Sequence, residues 1–281
     1  MPENPSDTLE KLSLGDRPGR AIALDGSSRR RANVLGVGID AIDMRTAVAR
    51  VMSAVGGSAG GYVCVTGVHG VIEASRDASM RSILNNSLMT TPDGMPMVWV
   101  GRAQGHKMSR VYGPDLMLEL CVAGVERRVR HFFYGGNPGV AEALKTRLVA
   151  RIPGLMVVGT YTPPFRPLSE AEERDLAAAL NNTRPDVMWI GLSTPKQERF
   201  MAEHVDRLPC RVMIGVGAAF DMHTGRISQA PRWMQRSGFE WLYRLVTEPR
   251  RLWKRYLINN PLFLARLVEQ WLRPSRYPAP R

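Results

Sequence analysis

Cysteine is scarce in this chain and badly placed for cross-linking. Cys64, Cys121 and Cys210 are odd in number, far apart and outside any metal-ligand spacing. A disulfide framework and a zinc site are therefore not indicated, and the three read as buried thiols of a reducing compartment. No apolar run reaches the roughly eighteen residues that a spanning helix needs, and residues 1–30 lack the apolar centre of a signal peptide. Neither spanning nor export is expected, so the cytoplasm is the default. Acidic residues are in short supply as well, 26 against 38 Lys and Arg, which leaves a net charge of +12 over 281 residues.

That excess is concentrated near the C-terminus. Residues 226–281 hold twelve Lys and Arg against three Glu, a local net charge of +9. Nucleic acid and an anionic membrane both attract such a segment, and charge alone does not choose between them. The 44% apolar content is enough for a sizeable core. Residues 1–32 mix Pro, Gly, Ser and both charge signs and read as a mobile leader. From there short apolar runs at 34–39, 62–66, 131–134, 156–160, 187–192 and 212–216 alternate with helical stretches, which predicts a mostly parallel α/β sheet over 33–225. Helix starts are predicted at Asn137-Pro138, where a cap precedes a first-turn proline, and at Ser169, where Glu172 completes a capping box.

Ligands of such sheets sit beyond the carboxyl ends of the strands, so the loops opening at Thr66, Gly135, Leu192 and Gly217 form the candidate site. Gly135 and Gly136 let a diphosphate approach the backbone closely. Neither Gly36-Val37-Gly38 nor Gly215-Val216-Gly217 completes the G-x-G-x-x-G fingerprint, which argues against a nicotinamide enzyme. Asp93, in Thr90-Thr91-Pro92-Asp93-Gly94, fits two readings: a turn residue bonding its own backbone, or a partly desolvated base. Thr194 and Gln197 have capping-box spacing, and the same helix start, with Lys196, suits an anion. Arg110 is either a bidentate diphosphate ligand or the partner of Asp115, and Asp221 either accepts from ribose hydroxyls or caps the next segment. The five histidines show no metal-binding spacing.

Residues 250–257 carry a different pattern. At about 100° per residue, Arg250, Arg251, Lys254 and Arg255 fall in one arc and Leu252, Trp253, Tyr256 and Leu257 in the opposite one. Pro249 suits a first turn, and Pro261 is expected to interrupt the helix before a second apolar stretch. Segregated faces of this kind fit a membrane surface, with a basic helix docked on its own core, or buried in the subunit interface of a homo-oligomer, as the alternatives.

Taken in order, several blocks resemble the WecG/TagA/CpsF glycosyltransferase family (glycosyltransferase family 26). They are Thr91-Pro92-Asp93-Gly94, Arg110-Val111-Tyr112-Gly113-Pro114-Asp115, Phe132-Phe133-Tyr134-Gly135-Gly136 and Gly191-Leu192-Ser193-Thr194-Pro195-Lys196-Gln197-Glu198-Arg199, continuing into Glu248-Pro249-Arg250-Arg251. The resemblance implies an α/β, Rossmann-like fold with a basic amphipathic C-terminal appendage over 226–281. It also implies inverting, metal-independent transfer from a UDP-sugar to a polyprenyl-diphosphate-linked saccharide at the inner face of the membrane, with no other cofactor. The implied base is Asp93, with Thr66, Arg110 and Gln197 beside it. Implied donor contacts are Gly136 and Asp221, to which the reading of the strand-end loops adds Gly135 and Lys196, and implied acceptor-diphosphate cations are Arg244, Arg251 and Lys254. Lys254 stands where arginine is expected, and Val68 where many members carry asparagine. The absence of Asp-x-Asp, the metal-diphosphate motif of another glycosyltransferase class, agrees with this implication. A basic α/β protein that binds nucleic acid is the alternative function.

Overall fold

The computed structural model describes residues 29–57 and 60–280. Most of the leader expected over 1–32 lies outside them, but Arg29 to Ala32 belong to the fold. The stretch 34–39, expected as one strand of the main sheet, instead holds the turn at 35–36 and most of the second strand of a separate antiparallel hairpin, β1 (Arg31–Val34) and β2 (Val37–Asp40). Leu35 (φ 54°) and Gly36 (φ 83°) both take the left-handed conformation that a two-residue hairpin turn requires. Asp40 then latches the hairpin to the body: its buried carboxylate pairs with Arg29 (2.6 Å) and Arg50 (2.9 Å) and accepts the Thr90 N–H at 2.7 Å.

The main sheet has β3 (Gly61–Thr66), β4 (Met89–Pro92), β5 (Arg130–Gly135), β6 (Met156–Tyr161), β7 (Val187–Gly191) and β8 (Val212–Gly215), in the order β4-β3-β8-β7-β5-β6 and parallel throughout. Strand alternation divides the core into two layers. Val63, Phe133, Trp189 and Ile214 face one layer with α1 (Met44–Gly56), α5 (Gly113–Ala123), α6 (Val140–Arg151) and α9 (Ala219–His223). Cys64, Phe132, Met188 and Met213 face the other, with α2 (Val68–Arg76), α3 (Ala78–Asn86), α4 (Met95–Ala103), α7 (Glu170–Thr183) and α8 (Lys196–His204). The helices after neighbouring strands β3, β8, β7 and β5 go to alternate faces, and such reversals open crevices above the strand ends.

The capping box at Ser169 and Glu172 forms as expected. Asn137 does not cap α6: its carbonyl closes a turn on the Val140 N–H (3.0 Å), and Gly139 (φ 80°) takes the cap position. Pro261 does not interrupt the C-terminal helix. α12 runs Pro249–Leu272 through it, held in line by buried Leu252 on one side and buried Phe263 on the other. Before it lie α10 (Arg232–Arg236) and α11 (Glu240–Thr247). α12 lies along α2, where Asn259 bonds His69 (3.0 Å) and Arg266 bonds Ser75. Its end meets the hairpin: Gln270 bonds both Leu35 N (2.9 Å) and Asn33 O (3.0 Å).

Candidate active site

The strand ends and the helices α10–α12 enclose a cavity of about 1260 Å³. One wall is the sheet edge, with Gly67, Asp93, Gly136, Lys196, Gln197, Gly217 and Asp221. The other is helical and includes Glu240, Arg244, Arg251, Arg255 and Asn259.

Asp93 leaves the edge strand β4 with its N–H bonded to Thr66 O at 3.1 Å. The self-bonded turn expected of Pro-Asp-Gly does not form. Oδ1 accepts from Gly113 N (3.1 Å) at the first turn of α5, and Oδ2 has no hydrogen bond among the described residues. Burial raises the Asp93 pKa above the ordinary carboxylate value; Arg110 opposes the rise and Glu240 adds to it. The outcome is a carboxyl that is easier to protonate than a surface aspartate and has one oxygen uncommitted.

Arg110 pairs with Glu240 rather than with Asp115, which is taken by Arg232 at 2.6 Å. Its Nε donates to the Asp93 backbone carbonyl and its guanidinium lies 4.1 Å from the Tyr112 ring centroid. Burial alone lowers the Arg110 pKa, but Asp93 and Glu240 outweigh it and raise it. Through Glu240 the start of α11 is thus tied to the Asp93 backbone.

Gln197 is buried beneath Gly217, whose N–H it accepts at 3.0 Å, and its Nε2 donates to Glu198 at 3.0 Å. The capping box with Thr194 does not form, because the Thr194 hydroxyl donates to the same Glu198 oxygen at 2.9 Å. A buried carboxylate left without donors costs more than an open cap, which accounts for the choice. Gly135 (φ 123°) lies under the cavity; a Cβ there would stand 2.6 Å from Gly191 O. Gly136 and Lys196 line the cavity, as does half-buried Asp221, whose pKa burial raises against Arg226 and Arg251. Thr66 does not line it: buried, with its methyl beside Gly70, it acts through the carbonyl that receives Asp93.

On the helical wall the predicted faces of 250–257 rearrange. Arg255, assigned to the outer basic arc, turns inward with Tyr256, whereas Trp253 and Leu257 are exposed. Lys254 is also exposed, 5.5 Å from the Trp253 ring centroid, and does not line the cavity. Arg244 and Arg251 share Glu248. Arg255 has no carboxylate within salt-bridge distance among the described residues, and the Nε atoms of Arg244 and Arg255 are buried without partners. Burial, reinforced by Arg244 and Arg251, pushes the Arg255 pKa down. Positive charge without a counter-ion, desolvated beside an uncommitted carboxylate, is suited to an anionic ligand. Arg255 was legible only through the four-residue spacing Arg251, Arg255, Asn259, Phe263, which marks one inward stripe.

A model of the glycosyl transferase WecG/TagA/CpsF family matches residues 32–277, which include both walls. The chain belongs to this family. Two relatives, from Bacillus subtilis (strain 168) and Bacillus spizizenii (strain ATCC 23059 / NRRL B-14472 / W23), are both N-acetylglucosaminyldiphosphoundecaprenol N-acetyl-beta-D-mannosaminyltransferases. The first is 30% identical over 209 residues, 74% of this chain and 79% of the relative. The second is 30% identical over 186 residues, 66% and 70% respectively. As a family member the chain is a glycosyltransferase.

Proposed function

We propose that the protein transfers a sugar from a UDP-sugar to a saccharide carried on polyprenyl diphosphate, with inversion, in assembly of a cell-surface or extracellular polysaccharide. The observation that carries this reading is the single cavity in which Asp93, desolvated and with Oδ2 uncommitted, is enclosed with Arg255, a cation lacking a counter-ion. The relatives' names supply the chemistry of the acceptor, an N-acetylglucosaminyl diphosphoundecaprenol, and a β-linked product. From an α-linked nucleotide sugar a β product requires one displacement with inversion, hence one base.

In this reading Asp93 Oδ2 takes the acceptor hydroxyl proton as the oxygen attacks the anomeric carbon. The bond to the UDP oxygen breaks through an oxocarbenium-like state, and UDP departs. Lys196 at the start of α8 and the backbone N–H groups near Gly136 stabilise the departing diphosphate. Arg110 holds Asp93 in place through its backbone carbonyl. Arg244, Arg251 and Arg255 receive the acceptor diphosphate, Arg255 replacing the outward Lys254 in that role. In this reading cations take the part that a metal plays elsewhere.

The enzyme works as a peripheral protein at the inner face of the membrane. No helix among the described residues is long and apolar enough to cross a bilayer. Trp253, Leu257, Leu264, Val268, Trp271 and Leu272 are exposed on α12, beside exposed cations including Arg250 and Lys254. Apolar and aromatic groups next to cations suit an anionic interface. The test is a screen of UDP-sugars against purified protein with a polyprenyl-diphosphate saccharide, in the presence and absence of chelator. Acceptor-dependent UDP release that survives chelation is expected. Folded protein that fails to bind UDP yet binds nucleic acid with steep salt dependence would replace this reading with the nucleic-acid alternative.

A further inference from the structure

The inner stripe of α12 changes character along its length. Arg251 and Arg255 line the cavity near its N-terminal end, Asn259 and Asn260 follow, and Phe263, Leu264 and Leu267 complete it. At about 1.5 Å per residue the stripe runs about 18 Å from Arg255 to Leu267. Asn259 fixes it halfway by donating to His69 Nδ1 at 3.0 Å. Burial, with Arg255 nearby, brings the His69 pKa down to about 4, so the ring stays neutral and keeps an accepting nitrogen.

We propose that the far half of this stripe is a binding site for an isoprenoid chain. The first isoprene units of the acceptor lie along Leu264 and Leu267 while its diphosphate rests on Arg251 and Arg255. This rests on the proposed function and adds a subsite to it. Three observations point to this occupant rather than another. The apolar half is continuous with a cationic end in which Arg251 pairs with Glu248 but Arg255 has no salt-bridge partner among the described residues, so the cavity wall has the polarity of an amphiphile with an anionic head. A cavity of about 1260 Å³ exceeds the roughly 300–1,000 Å³ of a site for one drug-sized ligand. The same turns of α12 expose Val268 and Trp271 to the outside, so a chain leaving the cavity past Leu264, itself 63% exposed, stays in apolar surroundings. A second sugar or a nucleotide has no use for Phe263, Leu264 and Leu267, because its hydroxyls would be desolvated there without partners.

The test compares two water-soluble acceptors carrying the same saccharide diphosphate, one ending in a two-isoprene chain and one in a methyl group. The assay holds no membrane or detergent, so surface docking does not contribute. The wild-type protein is expected to prefer the prenyl acceptor by at least about tenfold in kcat/KM, since several buried CH₂ groups contribute. Leu264→Glu, at a position exposed enough to fold normally, should collapse that ratio towards one. The paired Leu264→Ser and Leu267→Ser variant should do the same, whereas Trp271→Ser should keep the ratio. Equal use of both acceptors by the wild type, or a preference that survives Leu264→Glu, overturns the subsite while leaving the proposed function standing. No transfer to either acceptor by wild type sinks both.

Discussion

The two walls of the cavity contrast in what they present to a substrate. The sheet edge offers backbone, glycines and the carboxylates Asp93 and Asp221, whereas the helical wall offers Arg244, Arg251 and Arg255. Sheet-edge groups are held rigidly, because each is fixed by a strand end or by a neighbouring loop, as Gln197 is by Gly217 and Asp93 by Gly113. The helical wall is joined to the body largely by polar side-chain ties, among them Glu240 to Arg110, Arg232 to Asp115, Asn259 to His69, Arg266 to Ser75 and Gln270 to the hairpin, with Leu252 and Phe263 as its buried apolar anchors. The difference suggests a division of labour in which the sheet edge does the chemistry and the helical wall captures the acceptor.

The largest effect should come from the sheet edge. Asp93→Asn is expected to lower kcat by at least about a hundredfold in single-turnover transfer, the scale of a lost general base. Its Tm should not fall, because the fold disfavours the charge that the substitution removes. Near-normal turnover would take the base elsewhere. Next, Arg255→Ala should raise the KM for the lipid-linked acceptor about tenfold or more, the worth of a charged hydrogen bond, with kcat little changed. An effect confined to kcat would blur the two walls into one. Lower still, the acid limb of kcat/KM should lie above the ordinary aspartate pKa of about 3.9. The sign follows from the raised Asp93 pKa: activity is present above it and lost as pH falls through it. A limb at or below the ordinary value contradicts the desolvation argument. The smallest effect is expected at Lys254→Ala, within about twofold in acceptor KM, since its ammonium points away from the cavity. A loss at Lys254 as large as at Arg255 would reverse the assignment of the inward stripe.

The contrast also explains what the sequence made legible. Parallel strands announced themselves as apolar runs at 62–66, 131–134, 187–192 and 212–216, because residues on both faces of each are buried, and at 156–160, a half-buried edge strand. β4 went unrecognised: Met-Thr-Thr-Pro is short, polar and at the edge, yet it delivers Asp93. The hairpin was hidden in a run of apolar residues whose turn uses Leu35 in the left-handed region, an unusual choice. Thr194 and Gln197 have the spacing of a capping box, but spacing does not reveal that a buried Glu198 competes for both. On α12 an amphipathic wheel assumes one apolar side facing the protein. Here the side facing the protein is mixed, because it lines a cavity, and Trp253 and Leu257 face out. Sequence blocks located Asp93, Arg110 and Gln197, but only packing distinguished inward Arg255 from outward Lys254.

The most direct test of the division between the walls is a calorimetric titration of UDP into Asp93→Asn. If Asp93 serves the acceptor hydroxyl and not the donor, the UDP affinity of this variant stays within about twofold of wild type while transfer is lost. A UDP affinity that falls in parallel with transfer would make Asp93 a donor-binding residue and contradict the account.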